Sequence, residues 1–187
     1  MKKQRFILMI LFAASITMAG AAPEPRITFS GDSTLHAFEG HGHADSFEHR
    51  RGTNGAHVFA MTVSARSLET GLGARDAKMW KLLDVDHFPT LSGRLEAIPD
   101  AWLASADDAG IQSRPLQLSL RDHEEAVPAQ IQCVREDDGT GWMDVSFTVS
   151  LKAFGLSPPS VLGLIRVRDT VDVKVRLPLD DQEESGS

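Results

Sequence analysis

The chain has 187 residues, of which 42% are hydrophobic and 24% charged, and its formal net charge is −7. That length supplies one hydrophobic core and is short for two large domains. The acidic balance argues against a nucleic-acid-binding protein, which needs a basic face to neutralise phosphates. It also disfavours adhesion to an anionic lipid surface, because no run of Lys and Arg follows the first five residues.

The first 21 residues are typical of an export signal. A basic start at residues 2–5 precedes an apolar run from Phe6, and Ala19 and Ala21 place small residues before a cleavage site. The run is about 11 residues long, whereas a membrane-spanning helix needs about 20. We therefore predict a signal peptide over 1–21, no integral membrane segment after its removal, and a periplasmic or secreted protein.

Alternation of apolar and polar residues dominates the rest of the chain. Met143–Leu151 is apolar at every odd position, and Val171–Leu177 repeats the pattern. Since neighbouring side chains of a strand point to opposite faces, each run has one dry face and one wet face, as in an antiparallel sheet. The same reasoning predicts eight strands, which in chain order cover residues 26–30, 34–48, 57–66, 90–98, 111–121, 126–135, 142–152 and 169–178.

One helix and several turns separate these strands. Ala74–Leu83 contains good helix formers and no Pro, and Met79, Leu82 and Leu83 share one face. A short helix among strands needs a dry surface to rest on, and the open end of a barrel would supply one. Gly and Pro residues predict turns at 54–55, 138–139 and 155–159.

Two further features concern the mature chain. Cys133 is the only cysteine, so the chain can form neither an internal disulfide nor a Cys–Cys metal pair. It shares a strand face with Ala129 and Ile131, which predicts a buried small hydrophobe rather than a reactive thiol. The acidic, Ser/Gly-rich residues 180–187 predict a disordered tail, so we expect the folded domain to cover 22–179.

The predicted strands fit two architectures. A closed antiparallel barrel of eight strands removes exposed edges and leaves room for side chains or one small ligand. A β-sandwich has the same alternation, so the pattern alone does not separate the two.

Three blocks of residues carry a family resemblance. They are Ser33–Gly40; then Ser67–Gly71, Arg75-Asp76, Lys78-Met79 and Phe88–Leu91; and finally Ser150–Gly155, Pro158-Pro159 and Leu162–Asp169. In this order they resemble the YceI-like family of secreted polyisoprenoid-binding proteins, over residues 26–178. The resemblance implies a lipocalin-like, eight-stranded antiparallel barrel, a hydrophobic pore for the tail of an isoprenoid quinone or similar amphiphile, and no catalytic residues.

The expected fold is therefore an all-β barrel with one short helix near its mouth. Burial of an apolar tail contributes about 0.8 kcal/mol per CH₂, so a dry tube suffices without any fixed charge. Met79 and Leu82 would cover the mouth, where Arg75 and Asp76 would contact a head group or anchor loop and helix by local hydrogen bonds. The side chains expected to bind the lipid, each of which also fits plain core, are Phe59, Met61, Val63, Met79, Leu82, Leu116, Leu118, Phe147, Val149, Val173 and Val175.

We thus expect an exported, non-enzymatic protein whose partner is an amphiphilic lipid. No cofactor is expected other than a bound isoprenoid lipid or quinone, no nucleic acid is expected, and a homodimer is left open. A protein-interaction module without a small ligand is also left open.

A metal site is the alternative within the same fold. His36, His41, His43 and His49 fall within 14 residues, and imidazole is a good ligand for Zn, Cu or Ni. A stable site needs about three or four convergent ligands, whereas His-rich exposed strands are commonly just solvated.

An esterase is a weaker alternative. Phe29–Ser33 resembles the nucleophile block of Gly-Asp-Ser hydrolases, and Asp84 and His87 form an Asp-x-x-His pair. The alternation of strands and helices that those enzymes need is absent from the pattern.

Overall fold

A computed structural model describes residues 23–52, 55–105, 110–158, 160–161 and 165–179 of the chain. The predicted signal peptide 1–21, the predicted tail 180–187, Asn54, Pro159 and residues 162–164 lie outside this described part. The strands are β1 (Arg26–Ser33), β2 (Ala37–Arg51), β3 (Ala56–Ser64), β4 (Thr90–Pro99), β5 (Gln112–Leu120), β6 (His123–Arg135), β7 (Gly141–Ser150), β8 (Ser160–Val161) and β9 (Ile165–Pro178).

The sheet closes on itself. Each of β1 to β6 pairs antiparallel with the next strand, β7 pairs with β9, and β9 pairs back with β1. In that closing pair Phe29 lies opposite Val173. The two-residue β8 pairs with β9 and, among the described strands, stands outside the ring of eight. The predicted all-β, eight-stranded antiparallel barrel is confirmed, and the sandwich is wrong because β1 and β9 are hydrogen-bonded neighbours.

Several predicted strand ends are wrong, each for a local reason. Residues 34–36 form a turn rather than the start of β2, and the Ser33 hydroxyl donates to the carbonyl of His36 at 2.8 Å. β6 begins at His123 instead of 126, because Arg121 makes the preceding tight turn at φ +58 without a glycine to mark it. β3 ends at Ser64, and the 3₁₀ turn Ala65–Ser67 follows it.

In the described part of the chain, two α-helices lie at opposite ends of the barrel. The predicted helix is confirmed as α1 (Gly73–Leu83), which ends at Asp84 in a left-handed conformation with φ +53. A second helix, α2 (Asp100–Ala104), was not predicted from the sequence, since five residues are too few to show a helical period. α2 follows β4 directly, at the end of the barrel opposite α1. Within the described residues, no helix is both long enough and apolar enough to cross a bilayer.

The dry faces of the strands form two connected clusters. The cluster near α1 includes Leu83, Leu120, Leu151 and Phe154. The cluster toward α2 is completed by the residues Ile98, Trp102, Ile131, Cys133 and Met143. Cys133 is 4% exposed, as predicted, and burial raises the pKa of its thiol to about 11. The thiol is therefore part of the core rather than a reactive group.

Candidate functional site: a lipid-sized barrel cavity

The barrel interior contains a cavity of about 520 Å³. Its wall is formed almost entirely by apolar side chains. Every residue predicted to bind lipid lines it: Phe59, Met61, Val63, Met79, Leu82, Leu116, Leu118, Phe147, Val149, Val173 and Val175. That volume is within the range of about 300–1,000 Å³ typical of small-molecule sites. The barrel is therefore hollow where a plain core would be filled.

Strand register explains why these side chains share the interior. Residues directly opposite each other on neighbouring strands point to the same face of a sheet. Phe59 lies opposite Leu95, and Phe147 lies opposite Val173. The alternation along each strand then carries the same face from one end of the barrel to the other.

The end near α2 is closed. Ile98 is fully buried and Trp102 is 6% exposed, and neither lines the cavity. Ile131 and Met143, both fully buried, fill the same end. These four residues form the floor of the cavity.

Hydrogen bonds through His57 link α2 to the strands β2 and β3. His57, 5% exposed, places Nε2 3.0 Å from Oδ1 of Asp100 and Nδ1 2.8 Å from Nε2 of His49. Since the carboxylate accepts, Nε2 of His57 donates to Asp100 and its Nδ1 accepts from His49. Arg51 also donates to Asp100, and the His57 hydrogen bond is the largest cause of the lowered pKa of that carboxyl group.

The opposite end of the cavity opens to solvent beside α1. Leu35, in the turn between β1 and β2, and Leu72, just before α1, line the cavity yet remain 60% and 52% exposed. Met79 and Leu82 line the cavity from α1. We call the residues Leu35, His36, Leu72, Arg75 and Lys78 the mouth.

The two residues predicted to meet a head group differ in position. Arg75 lines the cavity, with its guanidinium 5.2 Å from the centre of the Phe38 ring. Asp76 is buried and does not line the cavity; its Oδ1 accepts from the backbone N–H of Thr70 at 2.8 Å and from the Thr70 hydroxyl at 2.6 Å. Asp76 thus serves the second predicted role, as an anchor of the loop before α1.

Several wall residues were not predicted from the sequence, among them Ile27, Phe29, Phe38, Leu68 and Lys78. Ile27 and Phe29 alternate within the predicted first strand, so that signal was available. Leu68 gave no such signal, because it lies on a short segment outside the strands. Its neighbour Glu69 pairs with His41, on the side of β2 that β3 does not reach. The indole N–H of Trp80 on α1 holds this segment by donating to the carbonyl of Leu68 at 3.0 Å.

The four histidines of the metal hypothesis do not converge. His36 lines the mouth, His41 and His43 are exposed on β2 with ring centres 5.9 Å apart, and His49 stacks on Phe59. Across the described residues, no group of three or more His, Cys, Asp or Glu side chains is placed to hold a metal ion.

The esterase hypothesis fails on the fold. An antiparallel barrel does not provide the alternating strands and helices of those hydrolases. His87 and Asp84 bond to each other at 2.8 Å at the end of α1, which raises the pKa of His87, and the Ser33 hydroxyl is engaged by His36.

Solved structures share this fold. BcnA of Burkholderia cenocepacia superposes with a TM-score of 0.65 at 15% identity, covering 83% of this chain and 96% of BcnA. A polyisoprenoid binding domain from Saccharophagus degradans, implicated in plant cell wall breakdown, gives 0.59 at 16% identity, covering 82% of this chain and 91% of that domain. The YCEI protein of Campylobacter jejuni gives 0.53 at 10% identity, covering 97% and 94%.

No curated protein matches the chain significantly in sequence. The family model of the YceI-like domain matches residues 21–179, which is most of the chain. Together with the closed barrel and its apolar cavity, this match establishes that the chain belongs to the YceI-like domain family.

Proposed function

We propose that this protein is an exported, non-enzymatic binding protein that holds a polyisoprenoid or isoprenoid-quinone-like amphiphile in its barrel. The observation that carries the proposal is the apolar cavity of about 520 Å³, closed at one end and open at the other. A tube with one mouth suits a molecule with a long apolar tail and one polar end. Export is supported by the basic and apolar pattern of residues 1–21.

The free energy of tail burial is large enough for such a role. Ten buried methylene groups contribute roughly 8 kcal/mol before the costs of ordering and association. No Asp or Glu is among the described residues that line the cavity, so a tail meets no carboxylate that would have to be desolvated. The polar head would remain at the mouth, beside Arg75 and Lys78.

Membership of a binding-protein family supports the non-enzymatic part of the proposal. The similar Saccharophagus domain is a polyisoprenoid binding domain, which points to the same class of ligand here. The hydroxyl of Ser33, the nucleophile of the rejected esterase hypothesis, is held in a local turn.

Extraction of the natively purified protein tests the proposal directly. We expect mass spectrometry of the organic extract to show a long-chain amphiphile in near-stoichiometric amount. Protein that carries none, and that binds neither a long-chain prenol nor a quinone when these are supplied, would contradict the proposal.

Two substitutions test whether the ligand lies inside the barrel. Phe147→Asp puts a carboxylate on the cavity wall, so we expect a cost of about 3–5 kcal/mol in stability and loss of lipid uptake. Ser146→Asp, on the other face of the same strand beside Lys174, is its control and should retain both. Unchanged uptake by Phe147→Asp would show that the ligand does not enter the barrel.

A second variant avoids the risk that Phe147→Asp fails to fold. Gly93 lies opposite Met61 and Leu118 on the cavity wall, and a Cβ there would meet only Leu116, at 3.6 Å. Gly93→Phe should place an apolar ring in the cavity and block uptake while the barrel stays folded. Gly93→Ala, its control, should leave uptake nearly unchanged. Normal uptake by folded Gly93→Phe would place the ligand elsewhere.

A further inference from the structure

We propose that the mouth of the barrel docks on the surface of an anionic lipid bilayer. The inference rests on the proposed function, since it concerns how an amphiphile would enter or leave the same cavity. It differs from the expectation drawn from net charge, because docking depends on the local surface rather than on the whole chain.

The first observation is the position of the exposed apolar side chains. Three large hydrophobic residues of the described chain are strongly exposed: Leu35 at 60%, Leu72 at 52% and Ile111 at 64%. Two of them line the mouth, on separate segments that the contact of Arg75 with Phe38 brings together. Single exposed leucines are common on protein surfaces, whereas a pair at the entrance of a lipid cavity is suited to insertion among lipid chains.

The second observation is the charge at the same place. Arg75 and Lys78 line the cavity one helical turn apart on α1, and no carboxylate among the described residues lines it with them. The carboxylate of the nearby Asp76 accepts a hydrogen bond from the backbone N–H of Thr70. Oδ2 of Asp32 on β1 lies 3.7 Å from Nη1 of Arg168. Each cationic side chain near an anionic membrane surface strengthens binding by about fivefold. In a chain with a net charge of −7, a cationic apolar entrance favours an anionic bilayer over a neutral one.

The geometry of the barrel agrees with this orientation. The opposite end is closed by α2 and the floor residues. Within the described residues, a ligand would therefore reach the cavity through the mouth. A ligand that passes from a bilayer to this mouth without crossing water avoids exposing its tail. Docking with Leu35 and Leu72 in the lipid interface would place the cavity opening against the membrane.

Vesicle sedimentation tests the proposal with the full chain lacking the predicted signal peptide. The probes are vesicles of phosphatidylcholine alone and vesicles with about one third phosphatidylglycerol. We expect binding to the anionic vesicles that weakens as salt is raised, because the surface field is screened. Leu35→Ser/Leu72→Ser and Arg75→Gln/Lys78→Gln should each reduce the partition coefficient by about tenfold or more.

Two matched controls separate the mouth from general stickiness. Ile111→Ser removes an equally exposed hydrophobic side chain just before β5, at the α2 end of the barrel. Arg94→Gln/Lys174→Gln removes two positive charges from the outer wall. Both controls should bind the anionic vesicles as the wild type does. A loss in the controls equal to that in the mouth variants would overturn the proposal.

A further comparison separates docking from ligand capture. Gly93→Phe should lose the uptake of geranylgeraniol added from ethanol but should still bind vesicles. A wild type that takes up geranylgeraniol and ignores anionic vesicles would overturn docking and leave the carrier function standing. Vesicle binding without any uptake of geranylgeraniol would overturn the carrier function and leave docking standing. If the leucine substitutions instead abolish a concentration-dependent dimer without affecting vesicle binding, the mouth is an interface between two copies and docking is wrong.

Discussion

At the scale of single residues, glycines determine how the first two strands pack. Gly40 on β2 lies opposite Phe29 on β1, and the Phe29 ring covers the space that a side chain at Gly40 would need. A Cβ at Gly40 would also lie 2.6 Å from the backbone oxygen of Glu69, which cannot move without breaking its pairing with His41. The glycine therefore lets Phe29 reach the cavity wall and lets the Leu68 segment approach β2.

We expect Gly40→Ala to destabilise the protein by about 1–3 kcal/mol, because the added methyl group overlaps backbone as well as a ring. Gly73→Ala is the matched control: Gly73 is the first residue of α1, a methyl group there would meet no heavy atom within 4 Å, and alanine favours a helix. That variant should be neutral or more stable by about 0.5–1 kcal/mol. Urea unfolding measures both, and equal stability of the two variants would contradict the packing argument.

At the scale of elements, α2 closes one end of the barrel. The exposed carboxylate of Asp100 and the buried side chain of Trp102 hold it in place. Asp100 bonds to His57 and Arg51, and its backbone N–H donates to the carbonyl of Gly55 at 3.2 Å. Trp102 belongs to the same apolar cluster as the other floor residues, Ile98, Ile131 and Met143. The short helix depends on these contacts, since five residues do not form a stable helix in isolation.

The carboxylate contact predicts a pH dependence. The His57 hydrogen bond lowers the pKa of Asp100 in the folded chain below the unfolded value of about 3.9. The ionised group therefore stabilises the fold above that pH, and this contribution is lost as the pH falls through the folded-state pKa. We expect Asp100→Asn to lower Tm at neutral pH but to match the wild type in strong acid. Asp137→Asn, in the exposed turn after β6, is the control for loss of one charge.

Removal of the Trp102 side chain should open the closed end. Trp102→Ala should cost about 3–5 kcal/mol and speed the release of a bound long-chain prenol, because the cavity gains a second exit. Trp102→Phe should behave almost as the wild type, since the indole N–H has no partner among the described residues. Stopped-flow dissociation measures the release, and an unchanged rate for a folded Trp102→Ala would show that α2 does not seal the cavity.

At the scale of the whole molecule, the closed barrel leaves a large apolar surface inside that nothing in the described fold covers. Among the described residues, the wall of the cavity of about 520 Å³ is formed by side chains of β1 to β5, β7 and β9, together with α1 and the segment before it. A ligand that binds the folded state and not the unfolded chain stabilises the fold by mass action. Stability should therefore depend on whether the barrel is loaded.

We expect delipidation to lower Tm by about 5–10 °C, the shift that corresponds to loss of about 2.7 kcal/mol at a hundredfold excess of ligand over Kd. Adding back the extracted lipid should restore the original value. Calorimetry of loaded, stripped and reloaded protein measures this. Gly93→Phe, whose ring obstructs the cavity, should show no such difference, and a shift of equal size in that variant would mean that the lipid stabilises the protein from outside.

The sequence by itself determined the approximate positions of the eight barrel strands and of α1, and which side chains of those strands face inward. These properties depend on the alternation of neighbouring residues, so they are local, and the predicted wall residues all line the cavity. The residue blocks also pointed to the correct family, although the alternation itself fits barrel and sandwich equally well.

Only the tertiary structure decided three features: closure through the pairing of β1 with β9, the floor built on α2, and the hollow itself. Closure joins residues far apart in the chain, and α2 is too short for a periodic signal. Whether a barrel is hollow depends on the summed sizes of inward side chains from eight strands, including the small Gly40 and Gly93. That sum exists only once the strands are in register. The role of Asp76 as an anchor rather than a head-group contact is likewise decided by the tertiary structure, which brings its carboxylate to Thr70.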